Sequence, residues 1–408
     1  MTTRPTTSPA TTDVVVAGGG AAGSAVAALL ALRGHRVNLL ERERATPQAG
    51  AEALSPGIHP VLAELGLRHR ISAVGAHRST HSVLDWGNGS EPWRSDLADS
   101  GPFGFGYHIR YHVLADLLLD RAKELGATVQ RGARVLGPVL SDGVVAGVRF
   151  RGPDGSITEW AAEIVVDATG AERAVAGHLG PAVPDPSGRH LLLGDEVTLT
   201  DTAEPPEPNS FVTAKPHGEA GWTWSIPLDQ DSAEVGRLLP VPPEGEPDDA
   251  GNGVTRRWHG YRAPELAGTG WLCVGDAAGM ADPLFLSPST VALLAAQAAA
   301  GAIDTALASG ARQVPAGYAE SYGAVLGSAR EFAAFCLSPR RQEEDEGALV
   351  RSLTALLNAP GGGATLARIR GALDGTHPLF DALCPHGPLV ASLAMPTRGG
   401  SRMVPAVP

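Results

Sequence analysis

The chain has 408 residues, 43% of them hydrophobic, and a formal net charge of -12 at pH 7. At roughly 100–200 residues per domain this length suggests two or three domains, and the hydrophobic content excludes a disordered chain. The negative charge argues against nucleic acid or an anionic membrane as the main partner. The three cysteines, Cys273, Cys336 and Cys384, are widely spaced, which argues against a disulfide framework and favours a reducing, cytoplasmic location.

The first ordered unit is predicted to be a strand, a helix and a second strand. Residues 14–17 are a continuous apolar run, typical of a strand buried on both faces of a parallel sheet. A helix is expected to end near Arg33, and a second strand at residues 36–40. Residues 14–32 carry no charge and match the length of a membrane span, but the run of glycines at 18–20 argues against one.

The turn between this strand and helix has G-x-G-x-x-G spacing. The first glycine permits a tight turn, the second lets the backbone approach a pyrophosphate, and the third lets the helix pack closely on the strand. The acid that ends the second strand is placed to bind a ribose hydroxyl. The pattern predicts a dinucleotide site, without separating FAD from NAD. The residues predicted to bind the cofactor here are Gly18, Gly20, Ala21, Ala22, Gly23, Glu41 and Arg42.

The next stretch mixes helices and strands. Residues 59–67 predict a short helix, and residues 82–86 a strand. Arg110 precedes a helix at 113–125 whose leucines recur on one face. Turn residues then separate four strands of a predicted antiparallel meander, at residues 128–130, 134–140, 144–150 and 157–160.

A further buried strand at 164–166 leads into Asp167-Ala168-Thr169-Gly170, and residues 181–188 are expected to link to a second domain. Residues 240–253 have the composition of a loop. The strands expected in this second domain form an antiparallel sheet at residues 191–200, 210–214, 222–226 and 233–239.

Residues 271–300 predict a buried strand, a polar loop and a long helix. Ser287 followed by Pro288 indicates an N-cap with proline at the first helical position. The positive end of the helix suits the negative edge of a reduced flavin, and Asp276 suits polyol hydroxyls. The predicted cofactor-binding residues of this stretch are Gly275, Asp276 and Pro283.

In order along residues 13 to about 305, these motifs resemble the FAD-dependent aromatic hydroxylase superfamily, which has the p-hydroxybenzoate hydroxylase fold. The similarity extends to flavin-dependent halogenases and geranylgeranyl-reductase-like enzymes within it. The resemblance implies that Arg110 contacts the flavin edge or the phosphates; an ion pair at the helix start is the alternative. The matching residues are Gly18, Gly20, Gly23, Glu41, Arg110, residues 167–170, and residues 275–283.

The resemblance implies an α/β fold in which an FAD-binding Rossmann-like domain of glutathione-reductase type interleaves with an antiparallel-sheet substrate domain, followed by a C-terminal helical region. We expect the FAD-binding domain at residues 13–75, 105–180 and 268–308. The substrate domain is expected at residues 76–104 and 181–267, and the helical region at 309–408.

Residues 222–227, Trp-Thr-Trp-Ser-Ile-Pro, are similar to the halogenase motif W-x-W-x-I-P. On a strand Trp222, Trp224 and Ile226 lie on one face. The pattern equally suits a core strand with large aromatic residues.

Other positions depart from the halogenase pattern. Those enzymes rely on a lysine, before a strand ending in Trp-Gly, to hold the hypohalous species. Residues 75–81 contain no lysine and place Ser79 near the expected position; the chain's lysines are Lys123 and Lys215. Pro288 stands where halogenases commonly have a Ser/Thr-Gly pair, and residues 51–53 keep only the acid of their Gly-Glu-Ser segment. We therefore predict that the chain is not a working halogenase.

Glu52, Asp282 and Ser287 are the candidate catalytic residues, although Asp282 precedes a proline and Ser287 is expected first as a helix cap. The pairs His77/His81 and His108/His112 have helical i, i+4 spacing, but neither has a third ligand, so no metal is predicted.

The sequence therefore predicts an FAD-dependent oxidoreductase, with oxygen-dependent oxidation of a small natural-product intermediate as the first hypothesis. The alternatives are a halogenase, a flavin-dependent dehydrogenase or reductase, and a non-redox FAD-binding scaffold. The substrate is free or carrier-bound. No second nucleotide fingerprint is visible, so NAD(P)H binds transiently or a separate flavin reductase supplies reduced flavin.

Overall fold

The structure is a computed structural model. It describes residues 12–47, 50–85, 92–97, 103–201, 209–217, 221–241, 254–281, 283 and 287–337.

The strands of the described residues form three sheets. Their bounds are β1 Thr12–Ala17, β2 Val37–Glu41, β3 Ala51–Leu54, β4 His77–Ser79, β5 His81–Leu84, β6 Trp93–Asp96, β7 Gly106–Arg110, β8 Thr128–Arg131, β9 Arg134–Ser141, β10 Val144–Arg151, β11 Ile157–Asp167, β12 Val183–Thr198, β13 Ser210–His217, β14 Gly221–Pro227, β15 Ser232–Pro240, β16 Val254–Arg262, β17 Ala267–Gly268, β18 Trp271–Cys273 and β19 Gly279–Met280.

The α-helices of the described residues pack on these sheets or connect them. Their bounds are α1 Ala21–Leu32, α2 His59–Glu64, α3 Arg70–Ala73, α4 Tyr111–Glu124, α5 Ala176–Leu179, α6 Pro288–Ala308 and α7 Ala316–Cys336.

The first sheet has the order β17-β18-β11-β1-β2-β8. Its pairs β18/β11, β11/β1, β1/β2 and β2/β8 are parallel. Val14, Val15 and Val16 of the central strand are 0% exposed, because α1 and its neighbours cover the sheet. The carboxyl ends of β1, β11 and β18 therefore meet at one edge, where open α/β sheets bind their ligands.

The second sheet has the order β19-β16-β12-β15-β14-β13-β5-β6 and is antiparallel except for the β13/β5 pair. A third, three-stranded sheet has the order β3-β7-β4. The predicted α/β class, with a Rossmann-like part, an antiparallel sheet and C-terminal helix, is confirmed.

Three predicted elements are wrong. Residues 157–160 and 164–166 belong to one strand, β11, which pairs with β10 in its first half and with β1 in its second. The strand at 128–130 is not part of the meander, since β8 pairs in parallel with β2. Most of the expected linker at 181–188 lies within β12, which begins at Val183, and Val183 pairs with Arg262.

Helix α6 is long and apolar enough, by length and composition, to span a membrane, and half of its apolar window is buried. It packs on α1 in the core, with Leu293, Leu294 and Ala295 at most 1% exposed. The uncharged run at 14–32 is split between β1 and α1. Both segments are thus core elements here. Residues 338–408 of the predicted helical region lie outside the described residues.

Candidate functional site

The glycine loop lies against the ends of β1 and β11. Gly18 has a φ of 104°, and a Cβ there would stand 2.2 Å from the carbonyl oxygen of Ala168. A Cβ on Gly23 would stand 2.0 Å from the carbonyl oxygen of Gly18. Both positions require glycine, because any side chain would separate α1 from the strand ends.

Asp167, at the end of β11, fixes the segment that packs against the glycine loop. Its carboxylate is 0% exposed and accepts hydrogen bonds from the N–H and hydroxyl of Thr169, at 3.0 and 2.7 Å. It also accepts from the N–H groups of Val175 and Ala176, at 2.8 and 2.7 Å. The Asp-Ala-Thr-Gly motif therefore shapes the backbone that contacts Gly18.

Glu41 closes the loop from the end of β2. Its carboxylate accepts hydrogen bonds from the N–H groups of Gly19, at 2.5 Å, and Glu43, at 2.7 Å. The neighbouring Arg42 forms an ion pair with Glu172 at 2.8 Å. The predicted contacts of Glu41 and Arg42 with the cofactor stay predictions.

Tyr111, which the sequence analysis did not single out, lies at the N-terminus of α1. A Cβ built on Gly20 would stand 2.8 Å from the Tyr111 hydroxyl oxygen, so this hydroxyl lies against the first residues of α1. Burial, together with the charge of Glu52, raises the pKa of Tyr111 to about 12. The phenol therefore keeps its proton at neutral pH and can donate it to an anion at the helix terminus.

A cavity of about 520 Å³ extends from this helix terminus to the second sheet. This volume is within the range of ligand pockets, roughly 300–1,000 Å³. The predicted site residues that line it are Gly20, Ala21, Ala22, Glu52, Gly275, Asp276, Pro283 and Ser287. Gly18, Gly23, Glu41, Arg42 and Arg110 lie outside its lining, and Asp282 lies outside the described residues.

Ser287 is the N-cap residue of α6 and Pro288 is its first helical residue, as predicted, but the Ser287 side chain does not cap the helix. Its backbone is left-handed, with φ 49° and ψ 69°, and its side chain forms no cap hydrogen bond. The hydroxyl instead donates to the carbonyl of Ala53 and contacts the hydroxyl of Thr290 at 2.7 Å. Thr290 in turn accepts from the Ser55 N–H at 2.9 Å. The predicted N-cap position is confirmed, whereas the Ser287 hydroxyl binds Ala53 and Thr290 and thereby connects α6 to β3 instead of capping the helix.

Glu52 projects into the cavity from β3. The hydroxyl of Ser289, in the first turn of α6, donates to its carboxylate at 2.6 Å. This contact gives the acid a fixed position between the start of α6 and Tyr111, as acid–base chemistry requires.

The second sheet supplies the apolar wall. In the register of β14 and β15, Trp224 pairs with Gly236 and Ile226 with Glu234, so these residues share one face. Trp222, Trp224 and Ile226 are 0%, 7% and 5% exposed, which confirms their predicted alternation. A Cβ on Gly236 would stand 2.1 Å from the Trp224 indole. The ring therefore lies across that glycine.

Arg110 points towards the second sheet. Its guanidinium forms an ion pair with Glu196 and lies 3.7 Å from Asp229. A contact of Arg110 with the flavin stays a prediction.

The histidine pairs do not have the geometry that their spacing suggested. His77 and His81 lie on strands β4 and β5, and His77 stacks on His108 at 6.2 Å between ring centroids. Within the described ranges no group of three His, Cys, Asp or Glu side chains could hold a metal ion.

Comparison with known proteins decides the family. Residues 11–256 match the family model described as an FAD binding domain. The chain belongs to this family. FAD is therefore its cofactor, as predicted, and the cleft above the glycine loop fits it: backbone N–H groups and the Tyr111 phenol meet at the terminus of α1.

The individual proteins that resemble this chain belong to the predicted superfamily. The flavin-dependent halogenase rdc2 of Metacordyceps chlamydosporia is 23% identical over 330 residues, which are 69% of this chain and 62% of that protein. The matched part is thus less than two thirds of that relative.

Two solved structures share the fold. The myxobacterial chondrochloren halogenase CndH has a TM-score of 0.71 at 23% identity, covering 96% of this chain and 99% of that one. The p-nitrophenol 4-monooxygenase PnpA from Pseudomonas putida has a TM-score of 0.68 at 20% identity, covering 91% and 98%. The predicted superfamily is confirmed.

Proposed function

We propose that this FAD-binding protein is an oxygen-dependent oxidoreductase, a monooxygenase, that acts on a small organic intermediate, free or carrier-bound. The observation that carries the proposal is one cavity that extends from Gly20, at the start of α1, to the apolar wall of Trp224 and Ile226. It gives a cofactor and an organic substrate a common space. Bound FAD supplies redox chemistry and activation of oxygen there, and the protein supplies binding and orientation.

The cofactor position follows from the residues of the cavity. The N–H groups at the start of α1 and the Tyr111 phenol suit the pyrophosphate. Asp276 suits the polyol hydroxyls. Pro283 and Ser287 border the space for the ring, next to the positive end of α6.

The side chains that line the cavity have different proposed roles. Glu52, held by Ser289, is placed to move a proton within the cavity, with Asp282 as the second candidate acid. Trp224, Ile226 and Leu192 exclude water from the substrate's side. The hydroxyl proton of Ser287 is donated to Ala53, so this residue positions β3 rather than acting as an acid.

A halogenase is the second candidate, because rdc2 and CndH are halogenases. The residues favour oxygen transfer instead. Lys123 is half-exposed on α4 and binds Asp120 at 2.9 Å. In the segment without lysine, Ser79 is 0% exposed and Arg78 lies 4.0 Å above the Phe105 ring. Guanidinium is a poor substitute for a reactive amine.

The two remaining alternatives are a flavin-dependent dehydrogenase or reductase and a scaffold without redox turnover. Reduced flavin would come from NAD(P)H or from a separate flavin reductase, in the cytoplasm. To separate enzyme from scaffold, FAD-loaded protein is reduced without oxygen and then exposed to air with a metabolite extract. An enzyme yields a product that depends on both FAD and oxygen, whereas reoxidation without product contradicts the proposal.

The cofactor position has its own test. Gly20→Val should abolish FAD binding, measured by flavin fluorescence, because the new side chain would meet the Tyr111 hydroxyl. An unchanged affinity would contradict this placement.

A further inference from the structure

Glu234 is a buried acid on the cavity wall that the proposed chemistry leaves without a role. It lies on β15, is 7% exposed and lines the cavity. Its direct cross-strand neighbours are Ile226 on β14 and Glu196 on β12. A carboxylate at this depth, beside Trp224 and Leu192, is costly and requires partners.

The surroundings of Glu234 hold its carboxylate in one position. Oε2 accepts a hydrogen bond from the Ala51 N–H. Gly50 has a φ of 78°, and a Cβ there would stand 2.8 Å from Oε2. On the other side a Cβ on Gly194 would stand 3.3 Å from Oε1. Gly50 and Gly194 therefore leave room for the Glu234 carboxylate at the cavity surface, because a side chain at either position would crowd it.

The charged side chains that line the cavity affect which substrates can bind. Of the described residues that line the cavity, Glu52, Glu234 and Asp276 are acidic and Arg257 is basic. The pyrophosphate of FAD adds further negative charge. A negatively charged substrate would have to enter this space against like charges, which disfavours its binding.

We infer that Glu234 selects the substrate: it accepts a hydrogen bond from an O–H or N–H group of an uncharged or cationic aromatic ring lying against Trp224, and it repels rings that carry a carboxylate. Aromatic rings suit this wall because the Trp224 indole lies flat across Gly236. The inference rests on the proposed function, since FAD must occupy the end of the cavity near α1.

Two probes of equal shape test the inference, 4-hydroxybenzamide and 4-hydroxybenzoate. FAD-loaded native protein is titrated with each, and the dissociation constant is read from the change in the flavin absorbance spectrum. The amide should bind about tenfold or more tightly than the carboxylate, a difference of about 1.4 kcal/mol. Equal or tighter binding of the carboxylate, or no binding of either probe, would overturn the inference.

Glu234→Gln separates recognition from a structural role. The glutamine amide keeps the size of the side chain, and its oxygen can still accept from Ala51, so FAD affinity and melting temperature should be unchanged. The preference for the amide should fall about fivefold or more. The matched control is Glu196→Gln, which removes the same charge from the cross-strand neighbour outside the cavity.

The outcomes are distinct. An unchanged preference in Glu234→Gln, or an equal loss in Glu196→Gln, refutes the role of Glu234. FAD loading of the native protein is measured first, so failure to bind FAD identifies a failure of the proposed function instead.

Discussion

At the residue scale, Tyr111 is the side chain that we propose to bind the pyrophosphate of the cofactor. Its hydroxyl lies against the start of α1, whose N-cap, Gly20, has no side chain. Tyr111→Phe removes this proposed donor to the pyrophosphate. Because a hydrogen bond to a charged group contributes about 1.5–3 kcal/mol, we expect the dissociation constant of FAD to rise at least about tenfold, measured by flavin fluorescence.

The control for this prediction is Tyr318→Phe. The Tyr318 hydroxyl donates to the carbonyl of Cys273 at 2.7 Å and lies outside the cavity. This variant should lose stability and keep its FAD affinity. Equal effects of the two variants on FAD binding would show that Tyr111 acts only through folding.

Two helical glycines give a matched test of packing. Gly23→Ala places a Cβ 2.0 Å from a backbone oxygen, and overpacking of this kind costs typically about 1–3 kcal/mol or more. A Cβ on Gly327 in α7 meets nothing within 4 Å, so Gly327→Ala should stabilise by up to about 1 kcal/mol. Denaturant unfolding of both variants measures the free energy of unfolding, which should fall in Gly23→Ala and rise in Gly327→Ala. A Gly23→Ala protein as stable as the native one would contradict the predicted clash.

His190 predicts a pH dependence of stability. It is 4% exposed, stacks edge-on against Trp258, and burial lowers its pKa from 6.5 to about 4. Between these values the unfolded chain binds a proton that the folded chain does not, so protonation favours unfolding. The destabilisation that comes from protonation of unfolded His190 is absent well above pH 6.5 and grows as the pH falls towards 4.

The check is thermal unfolding of native protein and His190→Phe at several pH values between 7 and 4.5. Phenylalanine keeps an aromatic ring against Trp258 and cannot be protonated. The melting temperature of the variant should fall less steeply over this interval. Parallel curves would mean that other groups account for the acid sensitivity.

At the element scale, the sequence predicted best where local pattern and burial agree. The apolar run of β1, the glycine turn and α1 were expected within a few residues, because a strand buried on both faces leaves a continuous apolar signal. The face shared by Trp222, Trp224 and Ile226 followed from strand alternation alone.

The errors arose where tertiary pairing decides the structure. β11 carries polar residues in its exposed first half, so one strand looked like two. The proline-containing residues 183–188 looked like a linker, but Val183 and Pro184 pair with β16 ahead of a register shift that ends at Arg189. β3 and β16 were not predicted, since their short or polar sequences become strands through partners distant in the chain.

The site shows the same division. Gly20, Asp276 and Glu52, which line the cavity, were predicted as site residues because their spacing or position carries a signal. Tyr111 and Glu234 also line it but were not predicted, since their places beside Gly20 and Ala51 are not encoded by any local pattern.

At the scale of the whole molecule, the parallel sheet provides the cofactor end of the cavity and the antiparallel sheet provides its apolar end. Segment 50–55 joins them: Glu234 binds Ala51, Ser287 binds Ala53 and Thr290 binds Ser55. The two ends of the cavity are therefore connected through β3, which belongs to neither large sheet.

We propose that this chain transfers oxygen rather than halogen. The most direct measurement is turnover of the FAD-loaded protein with a flavin reductase, labelled oxygen gas, and both chloride and bromide, followed by mass analysis of the product. We predict a product that contains the oxygen label and no halogen. Any halogenated product from the native chain would contradict this proposal, and its loss in Lys215→Ala would assign the role of the missing lysine to Lys215.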